Sequence, residues 1–425
     1  MTTELARALP RPLPKGFAAV CWILIAIGVV AFALGARGAT ASRAWGMLLV
    51  STVFFLGIAQ AGVVIAAILK VAVGNWGRSI SRIAEGLCAF LPVGFVLVAA
   101  ILLGGAGHLY PWVAHPVERN RAWLNVPFMA TRDLLALAVL LALSLRFVYV
   151  SLRADLYVAR EKVSAKHRAL YEKLTRDVRG VEAELERERR THRWLGVLVI
   201  LGWAVVFSLL AFDLLMSLDP EWASTLFGAF FFMGTLYTGW ATVWVLSAIT
   251  QKRRDLGAYI TLGQFHDLGK LTFSWCMAWC YLFWSQFLPI WYGNMWDETH
   301  YVFLRVHGVW APLAYAVLVL CFVVPFLGML NKKSKTVPAL MYVFGAIILA
   351  GMFLERYLLV FPSLTPAHIA VGYIEVGVPL GVLGAFMLSY GWFTTTFPIV
   401  PLAKPPERGI HHDVGTEVMA TVESA

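Results

Sequence analysis

Ten apolar runs divide this chain, and the positive residues between them fall almost entirely on alternate loops. A helix needs ~20 residues to cross ~30 Å of hydrocarbon, and each run meets that length. They lie at about 17–35, 45–69, 84–104, 126–151, 194–216, 223–249, 268–290, 308–330, 337–360 and 370–398. Twenty-seven of the 35 Lys and Arg occupy the N-terminus, the even-numbered loops with the start of the seventh run, and the tail. Five occupy odd-numbered loops (Arg37, Arg43, Arg119, Arg121 and Arg305), and Arg132, Arg146 and Arg356 lie inside runs. Because cytoplasmic loops retain Lys and Arg, both termini and residues 152–193 are predicted to face the cytoplasm.

Composition excludes the soluble classes. Sixty per cent hydrophobic residues and a mean hydropathy of +0.72 do not describe a water-soluble chain of 425 residues. The formal charge of +10 is therefore a topology signal with some attraction to anionic lipid, and no nucleic-acid footprint. The first run is too long for a signal-peptide core and lacks an A-x-A site, so it is expected to stay as span 1.

Residues 152–194 interrupt the membrane pattern. They are highly charged, with Leu156, Val163, Leu170, Leu174, Val178, Val181 and Leu185 spaced as one apolar helix side. The spacing predicts a helical hairpin over 152–193 that continues spans 4 and 5 and turns near Gly180. Its apolar side is either part of a solvated helix or a docking surface for another subunit.

The cofactor classes narrow by elimination. Bis-His haem needs histidine pairs facing each other at depth, but the ten histidines occupy loops and span ends, with His266 and His307 at the latter. The five cysteines all lie within spans; Cys276 and Cys280 share a helix face, yet two thiols cannot complete an iron–sulfur site. No redox cofactor or metal is expected on this chain itself.

Intramembrane ionisable groups are the remaining signal, since charge in lipid is costly and usually faces a bundle interior, pairs, or conducts protons. Span 4 carries Arg132 and Asp133, span 5 Asp213, span 9 Glu355 and Arg356, and span 10 Glu375. Asp133, Asp213, Glu355 and Glu375 fall at matched depth in the outer third, which predicts one shared polar region. The inner end holds Glu85 on span 3 and His266, Asp267 and Lys270 on span 7. A proton route between the outer acids and this inner group is one reading, and ion pairs that lock helices are the other. Span 7 is also crowded with aromatics; Trp284, Gln286, Trp291 and Tyr292 near its outer end could wall a flat apolar ligand such as a quinone, but tight interhelix packing is the simpler explanation.

Three stretches are familiar in their order: Asp213-Leu-Leu-Met-Ser-Leu-Asp219-Pro220-Glu-Trp222-Ala-Ser224-Thr-Leu-Phe-Gly228, then His266-Asp267-Leu-Gly269-Lys270, then Trp284-Ser-Gln286-Phe-Leu-Pro-Ile-Trp291-Tyr292-Gly293-Asn294. They resemble the NrfD-like membrane subunits of bacterial alternative complex III, most of all the second of the two, the ActF-type quinol:cytochrome c oxidoreductase subunit. The motifs cover residues 213–305 and the ten-span layout extends the likeness over most of the chain. After Asn294 the chain reads Met295-Trp296-Asp297-Glu298 in place of a Pro-Glu-Glu-like turn, which leaves the following loop unassigned.

The resemblance implies an all-α integral membrane protein of the NrfD/PsrC-like type. It divides into an N-terminal tail and peripheral span 1 (1–44), a first four-helix bundle (45–216), a second (217–360), and peripheral span 10 with a tail (361–425). It further implies residence in the bacterial inner membrane. The implied partners are the first NrfD-like subunit, an iron–sulfur subunit and c-type haem subunits, which would carry the haem c and iron–sulfur clusters; lipid and quinol or quinone are the ligands implied for the membrane part. The expected role is structural and proton-conducting. The alternatives are a quinol-binding subunit of the same complex and an ion-coupled secondary transporter, whose sites would sit near the midplane beside broken helices.

Overall fold

The computed structural model describes residues 7–403, and the tail cations Lys404 and Arg408 and the pair His411 and His412 lie outside the described residues. The long helices are α1 (Phe17–Gly35), α2 (Ala41–Val71), α3 (Arg78–Leu109), α4 (Val126–Ala159), α5 (Ala165–Leu174), α6 (Val181–Leu218), α7 (Phe227–Arg254), α8 (Leu262–Gly293), α9 (Trp296–Val306), α10 (Gly308–Gly328), α11 (Pro338–Leu364) and α12 (Tyr373–Thr396). Among the described residues nine are long and apolar enough to cross a membrane. The seventh predicted span is the 32-residue α8, which falls short on hydropathy because Trp, Tyr and polar residues take the place of aliphatics along it. The protein is an all-α, multi-pass membrane protein.

Local signals start and stop these helices. Asn125 caps α4 by accepting from the Phe128 N–H at 3.0 Å, with Pro127 in the first turn, where its missing N–H costs nothing. Thr261 and Gln264 form a reciprocal capping box at the start of α8. At the C-termini of α7 and α8, Asp255 (φ 53°) and Asn294 (φ 46°) take the left-handed conformation that ends a helix.

The most buried helix is α2, with 94% of its most apolar window enclosed, because α3, α6, α7, α11 and α12 all pack around it. Helices α2, α3, α4 and α6 pack on one another; α7 packs on α8 and α11, and α10 on α11; the α2–α7 contact joins the two groups. The remaining pair is α1 along α12, brought together by backbone contact of Gly28 with Gly381 and by Gly377 against the Ala31 methyl. Small residues of this kind drive helix association in lipid, where close packing replaces the hydrophobic effect.

The charged segment departs from a simple hairpin. It turns twice, around 160–164 and 175–180, with the short α5 between. Leu156 is part of the core, and Val163, Leu170 and Leu174 pack against it. The Tyr171 hydroxyl donates to Thr396 O at 2.8 Å, which fixes α5 to the end of α12. This part of the apolar side is thus covered by the chain's own residues. Outside the spans, the Arg153 hydrogen bond at 2.9 Å holds Asp177 below the usual carboxylate range. This segment marks one end of the molecule, the hairpin end.

Candidate functional site

At the end opposite the hairpin, Arg132 on α4 reaches α6, where its Nη2 lies 2.6 Å from Asp213 Oδ2 and its Nε 3.1 Å from the same oxygen. The Trp123 indole donates to Asp213 Oδ1 at 2.8 Å and stacks under the guanidinium, 3.8 Å from its centre. Asp133 is fully buried beside them, with Arg132 Nε 3.7 Å from its Oδ1. Two buried carboxylates therefore share one guanidinium. The cluster thus holds two acids against one cation, one acidic group more than its guanidinium can balance.

The backbone contributes to this placement. Asp213 lies in a widened π turn, Ala211–Leu215, which releases carbonyls from the helical ladder. Ser217 donates its hydroxyl to Asp213 O, Tyr110 donates to Leu214 O at 3.3 Å, and Trp112 donates to Ser217 O at 3.1 Å. A second π turn, Val319–Val323 in α10, is satisfied likewise, with Tyr237 donating to Cys321 O at 3.0 Å and the Cys276 thiol at 3.4 Å.

Asp133 and Asp213 come together as the matched depth predicts, but Glu355 and Glu375 do not join them. Glu355 is paired with its neighbour Arg356 at 3.0 Å, inside the α7–α11 group. The Arg356 guanidinium donates to Phe231 O at 3.2 Å and occupies space left by Gly234 on α7. Glu375 takes a bidentate pair from Arg43, at 3.0 and 2.9 Å, between the first turns of α12 and α2. The single outer acid cluster is thus three ion-pair sites. Residue count along a helix sets depth, whereas the direction each helix faces is decided by packing.

The hairpin end holds a larger network. Lys70 bridges Glu85 (3.1 Å), Glu188 (2.9 Å) and Ser151 (2.5 Å); Arg82 bridges Glu85 (2.5 Å) and Asp155 (2.6 Å); Ser151 donates to Glu85 at 2.7 Å. His192 lies 3.4 Å from Glu188, and Asp155 accepts from the backbone N–H groups of Leu402 and Ala403 at 2.8 and 2.9 Å. A cavity of about 600 Å³ opens onto Lys70, Arg82, Asp155, Glu188 and His192. Of these residues the sequence singled out Glu85 alone. Lys70, Arg82 and Asp155 read as ordinary loop and hairpin charges because they stand just outside the apolar runs. Their signal was available in the helical register: Ser151 and Asp155 continue the face of α4 that carries Asp133.

The inner group expected on span 7 lies elsewhere. Asp267 and Lys270 form a pair at 2.7 Å, with Lys270 55% exposed, and His266 is half-buried in the same turns of α8. Gly269 between them lets Lys335 cross: a Cβ there would stand 2.7 Å from the Lys335 Cβ. Burial, then Lys270, pushes the Lys335 ammonium below its ordinary value. Toward the far end of α8, Trp284, Trp291 and Tyr292 are exposed on the outer flank and Gln286 is half-buried; Phe283, Phe287 and Trp291 stack in series along it. The following loop is ordered as α9, where His300 bonds Asp219 at 2.9 Å and Tyr301 stacks on Trp222 at 3.8 Å, so the Asp219-Pro220 motif anchors this helix.

A polytopic all-α membrane protein with ionisable residues buried between its helices is the class defined by these features. Residues 35–367 match the family model described as polysulphide reductase, NrfD, and the chain belongs to this family. Members are membrane subunits of quinol-linked redox complexes and work with partner redox subunits. Comparison with curated proteins found no match.

Proposed function

We propose that the chain is a proton-conducting membrane subunit of a quinol:cytochrome c oxidoreductase of the alternative complex III type. It resides in the bacterial cytoplasmic membrane with its hairpin end in the cytoplasm, carries no redox cofactor of its own, and works beside a first NrfD-like subunit, an iron–sulfur subunit and c-type haem subunits. One observation carries the conducting role. Asp133, Ser144, Ser151 and Asp155, all buried, fall within roughly 40° of arc on one face of α4 and span ~33 Å of its length. Ser144 and Gln60 of α2 exchange hydrogen bonds at 3.0 and 3.2 Å midway.

This face runs from the acid cluster at one end to the Lys70–Glu85–Glu188 network at the other. Carboxylates at both ends can take and release a proton, and hydroxyl and amide groups between them can pass it with intervening water. The Asp267–Lys270 pair lies outside this line, on α8, so the inner end of the route is assigned to Glu85, Glu188 and His192. Glu355–Arg356 and Arg43–Glu375 are charge-balanced and act as helix locks.

Asp133→Asn and Glu355→Gln in the assembled complex separate the two roles, read as subunit content, quinol oxidation and proton uptake in liposomes. Asp133→Asn is expected to assemble normally and lower proton uptake by about tenfold or more, whereas Glu355→Gln strands Arg356 and lowers subunit content. Unchanged proton uptake in an assembled Asp133→Asn complex sinks the conducting role.

A further inference from the structure

The second large cavity, about 610 Å³, lies at the hairpin end, where α1 begins and α7 and α12 end. Its rim carries Arg11, Arg253 and Arg254, and among the described residues no carboxylate lines it. Arg254 holds the surrounding frame, donating to Leu9 O at 2.8 Å and Thr394 O at 3.1 Å. The neighbouring acid, Asp255, is taken by Arg7 at 2.6 Å, outside the cavity. Three guanidinium groups gathered without a counter-charge leave a site that attracts an anion.

Below the arginines the walls change character. Leu246, Phe386 and Met387, about two to three turns back from the ends of α7 and α12, line the deeper part, Leu13 and Phe17 flank them from the start of α1, and Tyr390 and Thr250 add hydroxyl groups at the transition. A free phosphate uses only the rim, while an amphiphile uses both parts. The position matches such a ligand, because helix ends with Arg mark the boundary between headgroups and hydrocarbon. The hairpin-end network around Lys70 differs, since its cations are already consumed by Glu85, Asp155 and Glu188.

We propose that this cavity is a binding site for an anionic phospholipid, the phosphate on Arg11, Arg253 and Arg254 and an acyl chain along Phe386 and Met387. The site ties α1 and α12 to α7, so its occupancy would also stabilise the peripheral helix pair. The cavity shares no residue with the proton route.

Native mass spectrometry of the detergent-solubilised full chain, titrated with phosphatidylglycerol, phosphatidylcholine and inorganic phosphate, tests it. Phosphatidylglycerol is expected to bind about tenfold or more tightly than phosphatidylcholine, and the double variant Arg11→Gln/Arg253→Gln to remove that preference. Arg254 is left intact because it holds backbone carbonyls. Met387→Trp, which fills the apolar part, is expected to weaken lipid binding with the arginines unchanged. Equal binding of the two lipids overturns the proposal. So does inorganic phosphate binding as tightly as phosphatidylglycerol with no effect of Met387→Trp, which would leave a site for a free anion.

Discussion

Arg132 and Asp213 meet at 2.6 Å across α4 and α6, and the residue that gives this pair its consequence is Asp133, the buried second carboxylate on the same guanidinium. Removing the cation leaves two buried acids with no counter-charge. Arg132→Leu is therefore expected to cost ~3 to 5 kcal/mol, the usual penalty for stranding a buried charge. The double variant Arg132→Leu/Asp213→Leu should recover part of the loss, as read by thermal denaturation in detergent. Equal losses in the single and double variants would show that the pair contributes no coupling.

The α1–α12 contact depends on glycine at a backbone crossing. A Cβ at Gly381 would stand 2.6 Å from the Gly28 Cα, a distance that backbone atoms cannot relieve without moving a helix. Gly381→Val is expected to lower stability by ~1 to 3 kcal/mol through overpacking. Gly107→Ala, where a Cβ meets open space, serves as the control and should leave the thermal midpoint nearly unchanged.

Charge bias predicts the orientation of the hairpin end, and accessibility decides it. A cysteine at Ser164, between α4 and α5, should react with an impermeant thiol reagent only after the membrane is opened. A cysteine at Glu118, at the opposite end, should react in intact cells. Labelling of the Ser164 position from outside would invert the topology and with it the direction of the proton route.

The Arg153–Asp177 link gives the hairpin a dependence on pH. The depressed carboxyl value of Asp177 means that its contribution is fully present above the ordinary value of 3.8 and is lost as pH falls through the lower folded value. Hydrogen exchange of the 175–180 turn should stay constant from neutral pH down to about 4 after correction for the intrinsic rate, then increase in more acidic solution. Asp177→Asn should show the faster exchange already at neutral pH.

Much of the fold was legible in the order of residues because lipid imposes one-dimensional rules. Apolar length sets a span, and the positions of Lys and Arg order the spans, so nine of the predicted runs reappear as apolar helices and the tenth as α8. The positions of Asp133, Asp213, Glu355 and Glu375 along their helices were legible for the same reason: a helix rises by a constant amount per residue. The Asp219-Pro220 and Gly269 motifs were visible as patterns, and their physical purpose emerged only when His300 and Lys335 were seen against them.

Partnership was not legible, because it depends on which way each helix faces once all are packed. Glu355 turned to Arg356 within its own helix group and Glu375 to Arg43, while Asp133 and Asp213 shared Arg132. Lys70, Arg82 and Asp155 stood at the ends of apolar runs as apparent surface charges until α6 and residues 402–403 closed over them. The sequence by itself determined the number of apolar runs and where each charged residue falls along them, since lipid constrains both along a single helix. Tertiary packing alone decided which charges neutralise each other and which acid is left in surplus, since those depend on the facing of several helices at once.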